Sequence, residues 1–380
     1  MPPAAARLAG LGTTIFTEMT ALAVRTGAIN LGQGFPDTDG PAAVIEAAVA
    51  ALRGGENQYA PLPGVPALRE AIFAHQRELY GLEPEDVLVT FGATEAIASA
   101  VMGLCDPGDE VVVFEPSYDS YTACVAFAGA TCRFVTMRPP DFALDPRSLR
   151  AAIEGGRGRV RAVLINTPHN PTGRVLSRAE LQAVADACIE HDLVCISDEV
   201  YEHLVFDGEH IPPATLPGMA ERTLTISSVG KSFSVTGWKI GWCSGPAPLV
   251  AAARTVKQFL TFAGGTPLQH AAAAALRLPR SELDALRADL RTKRDQLCEG
   301  LAAAGLQPIT PAGTYFINAD VGTDATEWCA TLPERCGIVA IPTGVFYDDK
   351  DAAPTLVRFA FCKRPEVIAE AARRLAALSA

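Results

Sequence analysis

No run of about 18 apolar residues occurs in this chain, so no membrane-spanning helix is expected. Positive charge is in deficit. The 32 Lys and Arg against 43 Asp and Glu leave a net charge of −11, which argues against non-specific binding to nucleic acid. The ten cysteines contain no Cys-x-x-Cys pair, so a zinc knuckle or dithiol redox motif is not indicated, and no metal ligands are assigned. Cys105, Cys195 and Cys243 lie inside apolar runs, as buried free thiols of a reducing cytoplasm would. The sequence Met1-Pro-Pro-Ala-Ala-Ala-Arg7 lacks the apolar core of a signal peptide, and a cytoplasmic location is expected. Internal repeats and low-complexity tracts are also missing. What is present is the composition of a folded globular protein: 49% apolar and 20% charged residues, over a length of 380 that suggests two domains.

The chain alternates strand and helix signals. Ile15, Met19 and Leu22 have helical spacing within 12–27, and Ile29–Asp37 is extended. A helix is expected from Pro41 to Gly54 and another from Pro66 to Tyr80, separated by a Pro- and Gly-rich loop containing Tyr59. Six apolar runs then read as strands: Val87–Thr90, Glu110–Phe114, Arg161–Ile165, Leu193–Ser197, Thr223–Ile226 and Trp238–Trp242. They are continuous rather than alternating in polarity, which points to a parallel sheet covered on both faces. Ala-rich helices fill 246–304. Thr314–Asn318, Gly337–Ile341 and Thr355–Phe361 read as strands of a smaller α+β unit.

Candidate site residues lie at strand exits, where open α/β sheets bind ligands. Lys231 sits in a loop of small residues between two apolar runs, where lost solvation lowers an amine's pKa toward a usable nucleophile. Ser227, Ser228 and Lys239 flank it and could hold an anion. Phe91-Gly-Ala-Thr94 turns into a helix whose free N–H groups suit a phosphate. Tyr118 follows one strand. Asn170 lies on a rigid turn with two X-Pro steps after another. Asp198 ends a buried strand, an expensive place for a carboxylate without a cationic partner. Arg358 lies within the apolar strand Leu356-Val-Arg-Phe-Ala-Phe361 and needs an anion, which a structural carboxylate could supply.

Together these residues carry a resemblance. Asn170-Pro-Thr-Gly173, Ser197-Asp-Glu-Val-Tyr201, Ser228-x-x-Lys-Ser-Phe233, Gly237-Trp-Lys239 and Arg358-Phe359 stand in the order and spacing of class I/II aminotransferases of fold type I. The resemblance runs from about residue 12 to the C-terminus. It implies an α/β fold, with a large domain built on a mostly parallel seven-stranded sheet between helices and a smaller α+β domain. The expected division is an N-terminal arm and small-domain helix at 1–40, a large domain at 41–290 and a small domain at 291–380. It implies pyridoxal 5′-phosphate (PLP) as cofactor, with Lys231 as the Schiff-base lysine and proton shuttle. Asp198 would pair with the pyridine nitrogen, and Asn170 and Tyr201 with the ring 3-oxygen. Tyr118 would stack on the ring, and Ala93, Thr94, Ser228 and Lys239 would hold the phosphate. In the expected homodimer Tyr59 would reach the neighbouring subunit's phosphate. Arg358 and Gly34 would take the substrate carboxylate. Many relatives carry arginine where Lys239 stands; lysine keeps the charge but cannot fork.

Leu31-Gly-Gln-Gly-Phe-Pro-Asp37, Asn57-Gln-Tyr59 and Thr236-Gly-Trp-Lys-Ile-Gly-Trp242 resemble the branch with kynurenine/glutamine, methionine and N-succinyldiaminopimelate aminotransferases. Residues 89–97, 198–207 and 356–363 look most like the bacterial succinyldiaminopimelate type. This implies N-succinyl-LL-2,6-diaminopimelate and 2-oxoglutarate as substrates, in lysine biosynthesis. The alternatives are kynurenine, glutamine or methionine transamination, or C–S β-elimination on the same fold. A DNA-binding regulator built on this fold would carry an added basic segment ahead of it, and the acidic chain with motifs beginning by residue 30 does not suggest one.

Overall fold

The computed structural model describes residues 5–8, 11, 12 and 14–379; most of the Met1–Arg7 stretch read for a leader lies outside them. In chain order the strands are β1 (Ile29–Asn30), β2 (Asp86–Phe91), β3 (Glu110–Glu115), β4 (Thr131–Thr136), β5 (Val160–Asn166), β6 (Val194–Asp198), β7 (Thr223–Ser228), β8 (Ile240–Gly245), β9 (Gln307–Ile309), β10 (Phe316–Asp320), β11 (Ile338–Val339), β12 (Ile341–Pro342) and β13 (Leu356–Ala360). Seven of them form one sheet in the order β2-β8-β7-β6-β5-β3-β4. Only β8 runs against the rest. The fold is thus the α/β fold type I architecture, with a mostly parallel seven-stranded sheet and a smaller antiparallel-sheet unit.

Side chains alternate across the sheet, and both faces are buried. Val111 and Val113 of β3 join one core cluster with Leu164 and Ile196, while Val112 and Phe114 join another with Val163 and Ile165. Double-sided burial is why the runs are continuous in the sequence. The seventh strand, β4, escaped the reading of apolar runs. It is an edge strand with Arg133 at its centre and only Val135 fully buried, so it lacks the apolar continuity of the central strands. Two further boundaries differ from expectation. Trp238 belongs to a one-turn helix, Thr236–Trp238, and the strand after it starts at Ile240. Lys231 lies on a short helix, Val229–Ser232, instead of in a loop.

The smaller sheet has the order β12-β13-β10-β9, all antiparallel. The expected strand at 337–341 is split. β11 pairs in parallel with β1, and β12 pairs with β13 in the other sheet. The 24-residue helix Arg280–Ala303 links the two units: Leu283 packs on the core of the large sheet, and Leu290, Leu297 and Leu301 pack on that of the small one. All ten cysteines are free thiols, seven of them buried, so no disulfide braces the fold. Among the described residues no helix is long and apolar enough to cross a membrane.

Candidate active site

The C-terminal ends of β5, β6 and β7 lie side by side, and they build the floor of one pocket. Asn166 and Asp198, the last residues of β5 and β6, are register partners, and the Asn166 amide donates to the Asp198 carbonyl over 2.8 Å. The Asn166 side-chain oxygen accepts from the Asn170 backbone N–H at 2.7 Å, which ties the Asn170-Pro-Thr-Gly turn to the strand end. Ser228 ends β7 and leads directly into the short helix that presents Lys231.

Asp198 is buried. Its carboxylate accepts from the Tyr121 hydroxyl at 2.7 Å and from the Val200 backbone N–H at 3.2 Å. No ion pair to it occurs among the described residues. Burial pushes its pKa up to about 6, against the pull of the Tyr121 hydroxyl, the Val200 N–H and the Lys231 charge. Burial likewise lowers the pKa of Lys231, and the positive charges of Lys239 and Arg358 push the same way, opposed by Cys362 and Asp198. Its Nζ lies 5.9 Å from the ring centres of both Tyr201 and Tyr315.

The wall opposite is the start of the helix Gly92–Leu104. Gly241 of β8 passes so close that a Cβ there would sit 2.6 Å from the Gly92 carbonyl carbon and 2.7 Å from the Ala93 nitrogen. Only glycine admits that approach. Lys239 adopts a left-handed backbone (φ +55°), unusual for a residue with a side chain, and its Nζ lies against Gly92 at the helix N-terminus. Backbone N–H groups, a helix dipole and an ammonium thus converge on one spot, beside Ser228.

The mouth comes from the small unit. Arg358 of β13 is 1% exposed. It donates to the Asn170 side-chain oxygen at 3.1 Å and to the Gly32 carbonyl at 2.9 Å, and its Nε is buried with no partner. Phe316 and Phe346 flank the guanidinium at 4.2 and 4.6 Å, with Phe16 at 5.5 Å. Aromatic faces favour a cation but satisfy none of its N–H groups. Burial lowers its pKa to about 10, so it stays charged at neutral pH. The structural carboxylate that could have paired with it is not there among the described residues. Gly34 lines the same mouth. Its carbonyl accepts from the Tyr315 hydroxyl at 2.7 Å, and a Cβ on it would collide with Phe316 at 2.4 Å.

Eleven of the thirteen residues singled out in the sequence therefore converge: Ala93, Thr94, Tyr118, Asn170, Asp198, Tyr201, Ser228, Lys231 and Lys239 line the pocket, and Gly34 and Arg358 its mouth. Ser227 does not, because side chains alternate along β7 and its hydroxyl donates instead to Glu202 at 2.6 Å. Tyr59 does not. It is 81% exposed, its ring edge-on to Phe262. Tyr121, Asn166, Thr236, Phe16 and Phe316 line the site and escaped the sequence reading, as did Phe346 behind Arg358.

A recessed amine shares this pocket with a buried carboxylate that no described cation pairs, beneath an arginine with an unspent N–H, an arrangement that suits a charged ring and an acidic small molecule. The sequence of this chain matches the family model for "Aminotransferase class I and II" over residues 26–375. It is 51% identical, over 98% of each chain, to the "Probable N-succinyldiaminopimelate aminotransferase DapC" of Mycobacterium tuberculosis. It is 42% identical, over 97% of each, to the methionine aminotransferase of Escherichia coli. The solved structure of the M. tuberculosis N-succinyldiaminopimelate aminotransferase superposes with a TM-score of 0.95, covering 99% of this chain and 100% of that one. The chain belongs to the class I and II aminotransferases, enzymes that use PLP and act on amino acids and 2-oxo acids.

Proposed function

We propose that this aminotransferase moves the amino group of N-succinyl-LL-2,6-diaminopimelate to 2-oxoglutarate, as a step in lysine biosynthesis. The observation that carries the chemistry is a pair of buried ionisable groups, Asp198 on the floor and Arg358 at the mouth, neither of which forms an ion pair among the described residues. The substrate assignment is supported by the 51% identity to the mycobacterial relative over nearly the full length of both chains.

The pocket residues fit PLP. Asp198 lacks the cation that a protonated pyridine nitrogen would provide, and the helix start with Lys239 and Ser228 has the donors a phosphate requires. Ala93 and Thr94 would supply the backbone donors, Tyr118 a ring face, and Asn170 and Tyr201 hydrogen bonds to the ring oxygen. When bound, PLP supplies an electron sink that stabilises negative charge at the substrate's Cα. The chain supplies the rest. Lys231 anchors the cofactor and, once free, takes the Cα proton at Nζ and returns it; burial keeps that amine nearer its neutral, basic form. The Asp198 carboxylate, unfavourable alone in its buried site, would be stabilised by a cationic ring and would favour its protonated form. Arg358, with Gly34 beside it, receives the α-carboxylate of donor and acceptor in turn, which orients Cα toward Lys231.

Tyr59 acts in a homodimer in this reading. It stands exposed with Phe259, Leu260 and Phe262, a patch that a second copy would cover while Tyr59 reached that copy's phosphate site.

The test is a panel of amino donors with 2-oxoglutarate, followed by glutamate formation. The succinylated diamino acid should have the highest kcat/KM. A far higher value for kynurenine, glutamine or methionine would reassign the substrate. Release of pyruvate and thiol from cystathionine with no 2-oxo acid present would reassign the reaction.

A further inference from the structure

Behind the active site, on the far side of the turn that carries Tyr201, lies a second buried polar cluster that the aminotransferase chemistry does not use. Glu202 and His203 follow Tyr201 directly, and His75 comes from the helix Pro66–Tyr80. The Nε2 atoms of His75 and His203 face each other at 2.9 Å. The His75 Nε2 is 3.9 Å from Glu202 Oε2, and one ligand atom from each of the three residues lies within 4.8 Å of the others. We propose that His75, Glu202 and His203 form a site for a divalent transition-metal ion of the zinc type.

Three observations carry this. The first is the charge state of Glu202. Its side chain is 4% exposed, yet both oxygens accept hydrogen bonds, Oε1 from Ser227 at 2.6 Å and Oε2 from Tyr80 at 2.7 Å. That pattern belongs to an ionised carboxylate. A buried carboxylate held by two neutral hydroxyls needs a cation. The second is the way the two imidazoles meet, Nε2 to Nε2. Two facing Nε2 atoms share at most one proton between them, whereas a metal takes both lone pairs.

The third is geometry. Two ligands about 2.0–2.1 Å from a tetrahedral zinc are separated by about 3.4 Å. The 2.9 Å His75–His203 and 3.9 Å His75–Glu202 edges bracket that value, and the third stays within 4.8 Å, so an ion would draw His203 and Glu202 together by side-chain rotation. His203 and Glu202 also border a cleft lined by Tyr80, Glu209, His210 and Arg287, which gives an ion an entry path and leaves a fourth position for water. The ligands come from positions 128 residues apart, so no spacing motif announces the site.

The ion would clamp the helix Pro66–Tyr80 to the turn after β6 and, through the Ser227 hydroxyl, to the end of β7 next to Ser228. The site rests on these residues alone and stands or falls apart from the substrate assignment.

The experiment uses untagged holoenzyme, stripped with a chelator, incubated with Zn²⁺ or Co²⁺ and desalted. One metal per chain should be retained by elemental analysis, with Co²⁺ showing the ligand-field absorption of a His-rich tetrahedral site. His203→Asn, at the half-buried rim, should lower affinity at least tenfold while the cofactor absorbance persists. His75→Gln should do the same if it folds. Absence of retained metal in the parent protein, or equal retention in His203→Asn, overturns the proposal and leaves the rings sharing a proton.

Discussion

The floor and the mouth of the cleft handle a buried charge in opposite ways. On the floor, Asp198 is solvated by a hydroxyl and a backbone N–H, and burial moves its pKa to about 6, within reach of neutral pH. At the mouth, Arg358 is surrounded by three aromatic rings and two oxygen acceptors, and its pKa of about 10 leaves it charged throughout the neutral range. The floor is therefore tunable and answers to what is bound beside it. The mouth keeps its charge, as the anion receptor of the proposed reaction would. A transferase that alternates between two acidic substrates suits this division: the constant element recognises what the substrates share, and the adjustable element controls the chemistry.

The strongest test of the division is Lys231→Ala. Loss of the proton-carrying amine should lower kcat by roughly 10⁴-fold or more, with substrate still held at Arg358. Binding of a 2-oxo acid, measured by calorimetry, should survive; if it does not, floor and mouth are not separable. Next is Arg358→Ala. Losing a charge-assisted fork should cost about 2–5 kcal/mol in kcat/KM for donor and acceptor alike. An effect on only one substrate, in steady-state assays of both half-reactions, would remove the shared-carboxylate role.

The third test is the pH dependence of the cofactor-free protein. The folded pKa of Asp198 is raised from 3.8 to about 6, so the folded state holds a proton that the unfolded state releases. Stability from this group is therefore full below pH ~4 and lost as pH rises through ~6, a fall of roughly 3 kcal/mol. Urea melts at several pH values should show the fall, and Asp198→Asn should flatten it. Fourth, Tyr121→Phe removes one donor to the ionised carboxylate, worth about 1.5–3 kcal/mol. The midpoint of the same transition should move up by about one pH unit or more. The smallest effect is expected from Phe346→Leu, which strips one ring from Arg358. KM for both substrates should rise by about 2- to 30-fold, in keeping with ~0.5–2 kcal/mol for a cation–π contact, with kcat nearly unchanged.

The same two regions show what could be read from residues alone. Asp198 was legible because a charged residue directly after a continuous apolar run marks the C-terminal edge of a parallel sheet, and Asn170 and Lys231 because the Pro-rich and small-residue stretches that carry them follow such runs. Arg358 was legible for the converse reason, a charge inside an apolar strand. Tyr121 and Asn166 carried no such mark. Tyr121 looks like any apolar-face residue of the helix Ser120–Phe127, and its hydroxyl becomes meaningful only because that helix packs against the end of β6. β4 was missed because a half-exposed edge strand with an arginine at its centre lacks a periodic signature. Tyr59, singled out for a neighbour's site, sits on the surface of the single chain.

Composition and local pattern by themselves determined that this is an α/β protein with a doubly covered sheet and an ionisable group at several strand exits, because burial on both faces imposes apolar continuity along each strand. Only the tertiary structure decided which groups meet. Arg358 reaches Asn170 across 188 residues, and His75 reaches His203 across 128. Pairings of that length are chosen by the packing of whole elements, which no local stretch of sequence encodes.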